Sequence, residues 1–227
     1  MATAATTPTR AEIGMGVPVG SACFAGPAGL TADAMHQASS DPASDAEAAL
    51  LARYAAGDAA AARLLTARLT PRLYAHAYRV LGEGAEAEDV TQEALLRLWK
   101  IAPEWRPGEA RVATWCYRVV ANLCMDRLRR RRAVPLEAVA EPEDPRPDVA
   151  DRMQQRARTD ALQAALQSLP DRQRQAVVLR HIEGLSNPEI AEILEIGVEA
   201  VESLTARGKR GLAAALADQK EALGYER

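Results

Sequence analysis

The chain has 227 residues, 48% of them hydrophobic and only 4% aromatic, with a formal net charge of −3 from 28 basic and 31 acidic residues. That length holds one or two ordinary domains, and an Ala- and Leu-rich, aromatic-poor composition favours helix over strand. The acidic balance argues against a protein that grips nucleic acid unaided, because a basic face supplies most of the affinity for phosphates.

Residues 1–44 are rich in Ala, Gly, Pro, Ser and Thr without periodicity and read as a disordered lead. Within them the apolar run Ile13 to Ala28 is broken by Gly14, Gly16, Pro18, Gly20, Gly26 and Pro27, a poor core for a signal peptide. A helical block then runs from 45 to 132. The pattern predicts helices over Ala46–Ala56 and Ala59–Leu69, parted by Gly57-Asp58, and a third opened by Pro71 and reaching Leu81. After the turn Gly82-Glu83-Gly84, acids Glu86, Glu88 and Asp89 lie in the first turn of a further helix, with Arg97 and Lys100 in its last, both ends matching the helix dipole. Val90, Ala94, Leu95, Leu98 and Trp99 form its inward stripe, leaving Asp89, Gln92, Glu93, Leu96 and Arg97 outside.

The loop Pro103 to Gly108 leads to a long helix over Arg111–Arg132 with Val112, Trp115, Val119 and Leu123 inward. Arg118, Asn122, Asp126 and Arg129 make one polar line along it, beside Trp115 and Tyr117 and ahead of the arginine run Arg129 to Arg132. Such a line is either a solvated helix end or a set of guanidiniums and a carboxamide suited to phosphates and base edges; the residues alone leave both open. Pro135, Pro142, Pro145 and Pro147 among many acids then mark residues 133–152 as an extended acidic linker. A second helical block follows over 153–223. The fold class is all-α, two small helical domains joined by that linker.

The strongest local signal is Ser186-Asn187-Pro188-Glu189, a capping box with proline in the first turn. The helix it starts ends near Leu194, Glu195-Ile196-Gly197 turns the chain, and Val201, Leu204, Gly208 and Leu212 repeat along the next helix. Ile190, Ala191, Leu194, Ile196, Val201 and Leu204 give the inward pattern of a helix-turn-helix, whose second helix would enter the major groove. The alternative is an ordinary helical hairpin.

From Ala46 to Leu216 the chain resembles the extracytoplasmic-function group of bacterial sigma factors. AEDVTQEALLRLWK (Ala87–Lys100) looks like that family's polymerase-docking helix, ARVATWCYRVVANLCMDRLRRRR (Ala110–Arg132) its promoter-melting and minus-ten-reading helix, and LPDRQRQAVVLRHIEGLSNPEIAEIL (Leu169–Leu194) the opening of its minus-thirty-five-reading domain. The resemblance implies polymerase docking by Asp89, Gln92, Glu93, Leu96 and Arg97. It implies minus-ten contacts by Arg106, Arg111, Arg118, Asn122, Asp126 and Arg129, with Asn122 bordering the pocket for a flipped base, and minus-thirty-five contacts by Glu202, Ser203, Arg207, Lys209 and Arg210. The implied partners are core RNA polymerase, promoter DNA and an anti-sigma factor, and the implied role is transcription initiation without catalysis. The polymerase would then supply the positive surface that the net charge lacks. The chain departs from the family at Glu195, where Gly is favoured, and at Glu202 and Leu204, where basic residues are common; Glu202 as a DNA contact is the call those departures put in doubt.

Other classes fit less well. An autonomous helix-turn-helix regulator would need a basic recognition face and a dimer interface. An enzyme built on Cys116 or His181 lacks a base and orienter at motif spacing. Cys116 and Cys124 lie roughly 12 Å apart along one helix, too far to bridge; with Cys23 they suit a reducing cytoplasm. His36, His76 and His181 are scattered without ligand-spaced partners, so neither metal nor cofactor is expected. The most apolar stretch, Val112 to Met125, is too short for a membrane span and carries Arg118 and Asn122.

Overall fold

In the computed structural model the described residues are 42–106, 108, 110–133 and 150–217, so most of the lead, the acidic linker and the extreme C-terminus lie outside them. Eight α-helices occur among them: α1 (Pro42–Ala55), α2 (Ala59–Leu81), α3 (Gly84–Ile101), α4 (Val112–Ala133), α5 (Ala150–Gln167), α6 (Asp171–Val177), α7 (Asn187–Leu194) and α8 (Val198–Leu216). Helices α1 and α5 each begin three to four residues earlier than their sequence pattern suggests.

Two helices expected around Pro71 are one. Helix α2 runs through the proline for 23 residues. Proline in a helix interior removes a backbone bond, at about 3 kcal/mol. Here that loss is offset because Leu65, Leu69, Leu73, Ala77 and Val80 keep one register on both sides and are all buried, while Pro71 faces outward. Asp58 starts this helix, its carboxylate accepting from the amides of Ala60 (2.9 Å) and Ala61 (3.2 Å) and from Arg53. These bonds hold the Asp58 carboxyl below its usual pKa, the Arg53 bond most strongly. Gly82, in the left-handed conformation at φ 77°, ends it.

Helices α1 to α4 surround an apolar core. The buried side of α4 is rotated from its expected position: Cys116, Tyr117, Val120 and Cys124 are fully enclosed, whereas Trp115 and Val119 are half-buried. Trp105 meets Trp115 edge-on at 6.1 Å and Tyr54 meets Trp99 edge-on at 4.8 Å, so the three tryptophans seal the rim of the core. Burial raises the thiol pKa of both helix cysteines, that of Cys124 to about 12, which leaves them inert small apolar residues.

The second module is α5 to α8. Leu166, Leu169, Val177 and Val178 form its own cluster, and α6 widens into a π turn over Val178–Ile182. Gly208 lets α8 cross α6 closely, since a Cβ there would lie 2.4 Å from a Val177 methyl carbon and 3.1 Å from the Gln173 carbonyl oxygen. The described residues belong to one compact unit, and Leu179, Ile190, Ile193 and Val201 of the second module join the apolar cluster of the first. The expectation of two separately cored domains is met only in part. No described helix is long and apolar enough to cross a membrane.

Candidate polymerase and nucleic-acid interface

Helix α3 presents the first candidate surface. Its side chain at Glu83 caps the amides of Ala85 and Glu86, and Ala87, Val90, Thr91, Ala94, Leu95 and Leu98 turn inward. Asp89, Gln92, Leu96 and Arg97 are exposed and Glu93 half-exposed on the other side, as the spacing predicts. Leu96 has 59% of its surface open, an apolar side chain amid charges. Glu93 accepts from Arg97 one turn on, and Asp89 meets Arg127 of α4 at 3.5 Å. Pairs this open contribute little to stability.

The second surface is the polar line of α4. Asn122 and Arg129 are exposed, Arg118 and Asp126 half-buried, and Asp126 accepts from Arg129. Arg106 is exposed in the loop before the helix. Tyr117 does not join this line. It is buried, its hydroxyl donates to Glu183 at 2.7 Å, and its ring meets the edge of His76. Nor is the arginine run free for DNA throughout. Arg131 donates to the Leu81 carbonyl at 3.0 Å and pairs with Glu83 and Glu86, and Arg132 pairs with Asp171. These guanidiniums tie the end of α4 to the α2–α3 turn and to α6.

The third surface is α8. Ser186 and Glu189 close the capping box of α7 as expected, the Ser186 amide donating to the Glu189 carboxylate at 2.8 Å. Glu195 stands in the left-handed conformation at φ 54°, the one non-glycine among the described residues to do so. On α8, Glu202, Arg207, Lys209 and Arg210 are exposed and Ser203 half-exposed. Arg207 donates to the Ser203 hydroxyl at 2.7 Å, and Glu202 accepts from Asn187 at 3.4 Å.

The structure brings the second and third surfaces together. Asn122 and Met125 line one cleft with Leu194, Ile196 and Leu204 of the helix-turn-helix. Arg111 donates to Glu189 at 2.9 Å. Sequence reading missed the residues that build this junction. Arg174 is buried and donates to four carbonyls: Leu166 (2.8 Å), Val80 (2.6 Å), Gln167 (2.9 Å) and Leu169 (3.0 Å). Gln175 is buried and donates to Ala121. Arg174 sits four before Val178 and eight after Leu166, on the inward stripe, which is the signal that could have exposed it.

A family model described as Sigma-70 region 2 matches residues 65–134, and one described as Sigma-70, region 4 matches residues 159–212. The ECF RNA polymerase sigma factor SigM of Mycobacterium tuberculosis is 39% identical over 170 residues, covering 75% of this chain and 83% of that protein. This chain belongs to the ECF RNA polymerase sigma factors. SigE of Mycolicibacterium smegmatis, another ECF sigma factor, is 39% identical over 148 residues, covering 62% of this chain; the match spans just over half of SigE, 56%. Among solved structures, CnrH in complex with the cytosolic domain of CnrY superposes with a TM-score of 0.58 at 27% identity, covering 77% of this chain and 99% of CnrH. The region 2 match takes in α3 and α4, and the region 4 match takes in α6, α7 and most of α8. The two DNA-facing candidates of this sigma factor therefore lie in different regions of the family and in contact with each other.

Proposed function

We propose that this sigma factor binds core RNA polymerase through the exposed face of α3 and directs it to promoters, reading the minus-ten element with the α4 line and the minus-thirty-five element with α8. Residues 45–132 act as the region-two module, 133–152 as an acidic linker, and 153–223 as the region-four module. The observation that carries this reading is the order of the parts: an exposed Asp89/Gln92/Glu93/Leu96/Arg97 face in the region 2 match, then a capped helix-turn-helix in the region 4 match. Asn122 borders the pocket of a flipped base, at a cost of a few kcal/mol that stacking and edge hydrogen bonds offset. Arg106, Arg111, Arg118, Asp126 and Arg129 assist it. Ser203, Arg207, Lys209 and Arg210 meet bases or phosphates of the second element. Glu202 is the weakest member of that set, since a carboxylate repels phosphate and its partner is Asn187.

The protein supplies recognition and no chemistry, works in the cytoplasm with the polymerase, and is held in reserve by an anti-sigma factor. CnrH, caught with the cytosolic domain of CnrY, supports a sequestering partner of that kind. The reading predicts promoter-specific transcription with core polymerase and no tight sequence-specific shift by the protein alone at physiological salt. Tight, specific binding by the isolated chain would replace it with an autonomous regulator.

A further inference from the structure

The region-four module is fastened to the region-two module by two carboxylates that flank one short loop. Glu183, at the end of the π turn, accepts from the Tyr117 hydroxyl at 2.7 Å and lies 3.6 Å from Arg79. Glu189, in the first turn of α7, closes the capping box with one oxygen and receives Arg111 at 2.9 Å with the other. Arg111 is thus engaged by the helix-turn-helix itself. The same closure sets Asn122 and Leu204 on one cleft, next in sequence to Ser203 of the recognition helix.

That geometry conflicts with reading two promoter elements at once. Elements centred near minus ten and minus thirty-five are separated by about 25 base pairs, or about 85 Å along the helix axis at about 3.4 Å per pair. Surfaces that share a cleft cannot be that far apart. The chain between Ala133 and Ala150 can span at most roughly 60 Å by covalent geometry, and α8 adds about 28 Å of its own length; separation is therefore open to this chain once the contacts part.

We propose that the packed arrangement is an autoinhibited form of the free protein, latched by Glu183 and Glu189, in which the two promoter-reading surfaces close on each other until polymerase or DNA parts them. The inference rests on the proposed assignment of α4 and α8 to DNA. The latch is ionic at its rim and polar at its centre, where Arg174 and Gln175 of the second module cap carbonyls of α2 and α4. Open partners such as Arg111 and Glu189 exchange readily for phosphate and solvent, so a partner that binds only the open form shifts the population.

The test is the full-length double variant Glu183→Gln/Glu189→Gln. Glutamine at 189 still suits a capping box, so the helix-turn-helix is retained while the charge facing Arg111 is removed. A charge-matched control, Asp160→Asn/Glu192→Gln, neutralises two carboxylates of the same module away from the latch. Small-angle X-ray scattering should show a larger maximum dimension for the latch variant than for wild type or control. Binding to a fluorescent random-sequence single-stranded DNA 20-mer should tighten about fivefold or more, with the control near wild type. Unchanged scattering, or expansion with unchanged DNA affinity, overturns the latch. If the double variant loses helical circular dichroism, Glu189→Gln alone is read by the same two measurements. Transcription with core polymerase, run on wild type in parallel, tests the sigma assignment separately: its failure there with expansion and tighter binding intact removes that assignment and leaves the latch.

Discussion

Arg174 and Val80, 94 residues apart, are joined by a 2.6 Å bond from a buried guanidinium to a backbone carbonyl near the end of α2. The same guanidinium serves three more carbonyls at the α5–α6 junction, so one side chain holds the turn of the second module and fixes it to the first. Desolvation lowers the Arg174 pKa, with Arg132 and Arg131 adding to it, yet at this site the group stays charged because its ordinary pKa is so high.

Arg174→Met should leave those carbonyls buried without donors and cost about 3–5 kcal/mol. Arg174→Lys should recover only part of it, since an ammonium cannot reach a fork of four acceptors. Thermal unfolding reads both, at about 2–4 °C per kcal/mol for a chain of this size. A loss below about 1 kcal/mol for Met would mean that the carbonyls find water and the junction is not a structural hub.

The docking face should behave in the opposite way. Asp89→Ala/Gln92→Ala/Glu93→Ala should abolish association with core polymerase while moving stability by less than about 0.5 kcal/mol per site, because these side chains are exposed and their ion pairs open. Co-purification with core polymerase and a melting curve together decide it. Retained association would shift docking elsewhere on the molecule.

His76 predicts the acid limb of the stability curve. The ring is fully buried, neither nitrogen finds a hydrogen-bond partner among the described residues, and burial, with a smaller contribution from Arg79, lowers its pKa from 6.5 to about 3. The folded protein keeps His76 neutral while the unfolded chain takes up a proton below about pH 6.5. Its contribution is thus complete above pH 6.5 and is lost as pH falls towards 3, reaching about 2–3 kcal/mol by pH 4.5. Urea unfolding at pH 7.5 and pH 4.5 should show that slope in wild type and a smaller one in His76→Phe. Equal slopes in the two proteins would show that His76 is solvated in solution.

Much of this was legible from residue spacing, and the rest failed for identifiable reasons. Ser186 to Glu189 announced a helix start because capping is local, satisfied within four residues. The exposed side of α3 followed from its inward stripe. Pro71 misled because a local penalty was outweighed by a buried register that extends on both sides of it. Tyr117 was read as a companion of DNA, but its partner Glu183 is 66 residues away, and nothing in local periodicity reports a bond of that range. The closed arrangement of the two modules was missed in the same way. A proline-rich acidic linker suggests independence, whereas the contacts that oppose it, Arg111 with Glu189 and Gln175 with Ala121, are 78 and 54 residues apart.

Two positions in the helix-turn-helix should respond in opposite senses. Glu195→Gly should stabilise by up to about 1 kcal/mol, since relief of a left-handed conformation outweighs the added freedom of the unfolded chain. Gly208→Ala should destabilise by about 1–3 kcal/mol although alanine is the better helix former, because its methyl would meet Val177 and the backbone of Gln173. Denaturant midpoints at constant m-value give both signs.

The last prediction separates the work of the two DNA surfaces. Asn122→Ala should remove a base-edge partner, costing about 1–3 kcal/mol and relaxing choice at one minus-ten position. Arg207→Ala should weaken every promoter and lower the salt slope by about one, because its exposed guanidinium, braced by Ser203, is placed to meet phosphate. In the holoenzyme the modules stand apart and the two effects should add within about 0.5 kcal/mol. In the free protein Asn122 lies on the same cleft as Leu204 of the recognition helix, so there the two sites are close enough to couple. The measurement is holoenzyme affinity for promoters varied singly at each element, at two salt concentrations. An Asn122→Ala enzyme that loses affinity equally for all promoters, or changes its minus-thirty-five preference, would take minus-ten reading away from α4; strong non-additivity in the holoenzyme would mean that the modules remain closed on DNA, against the opening that the latch requires.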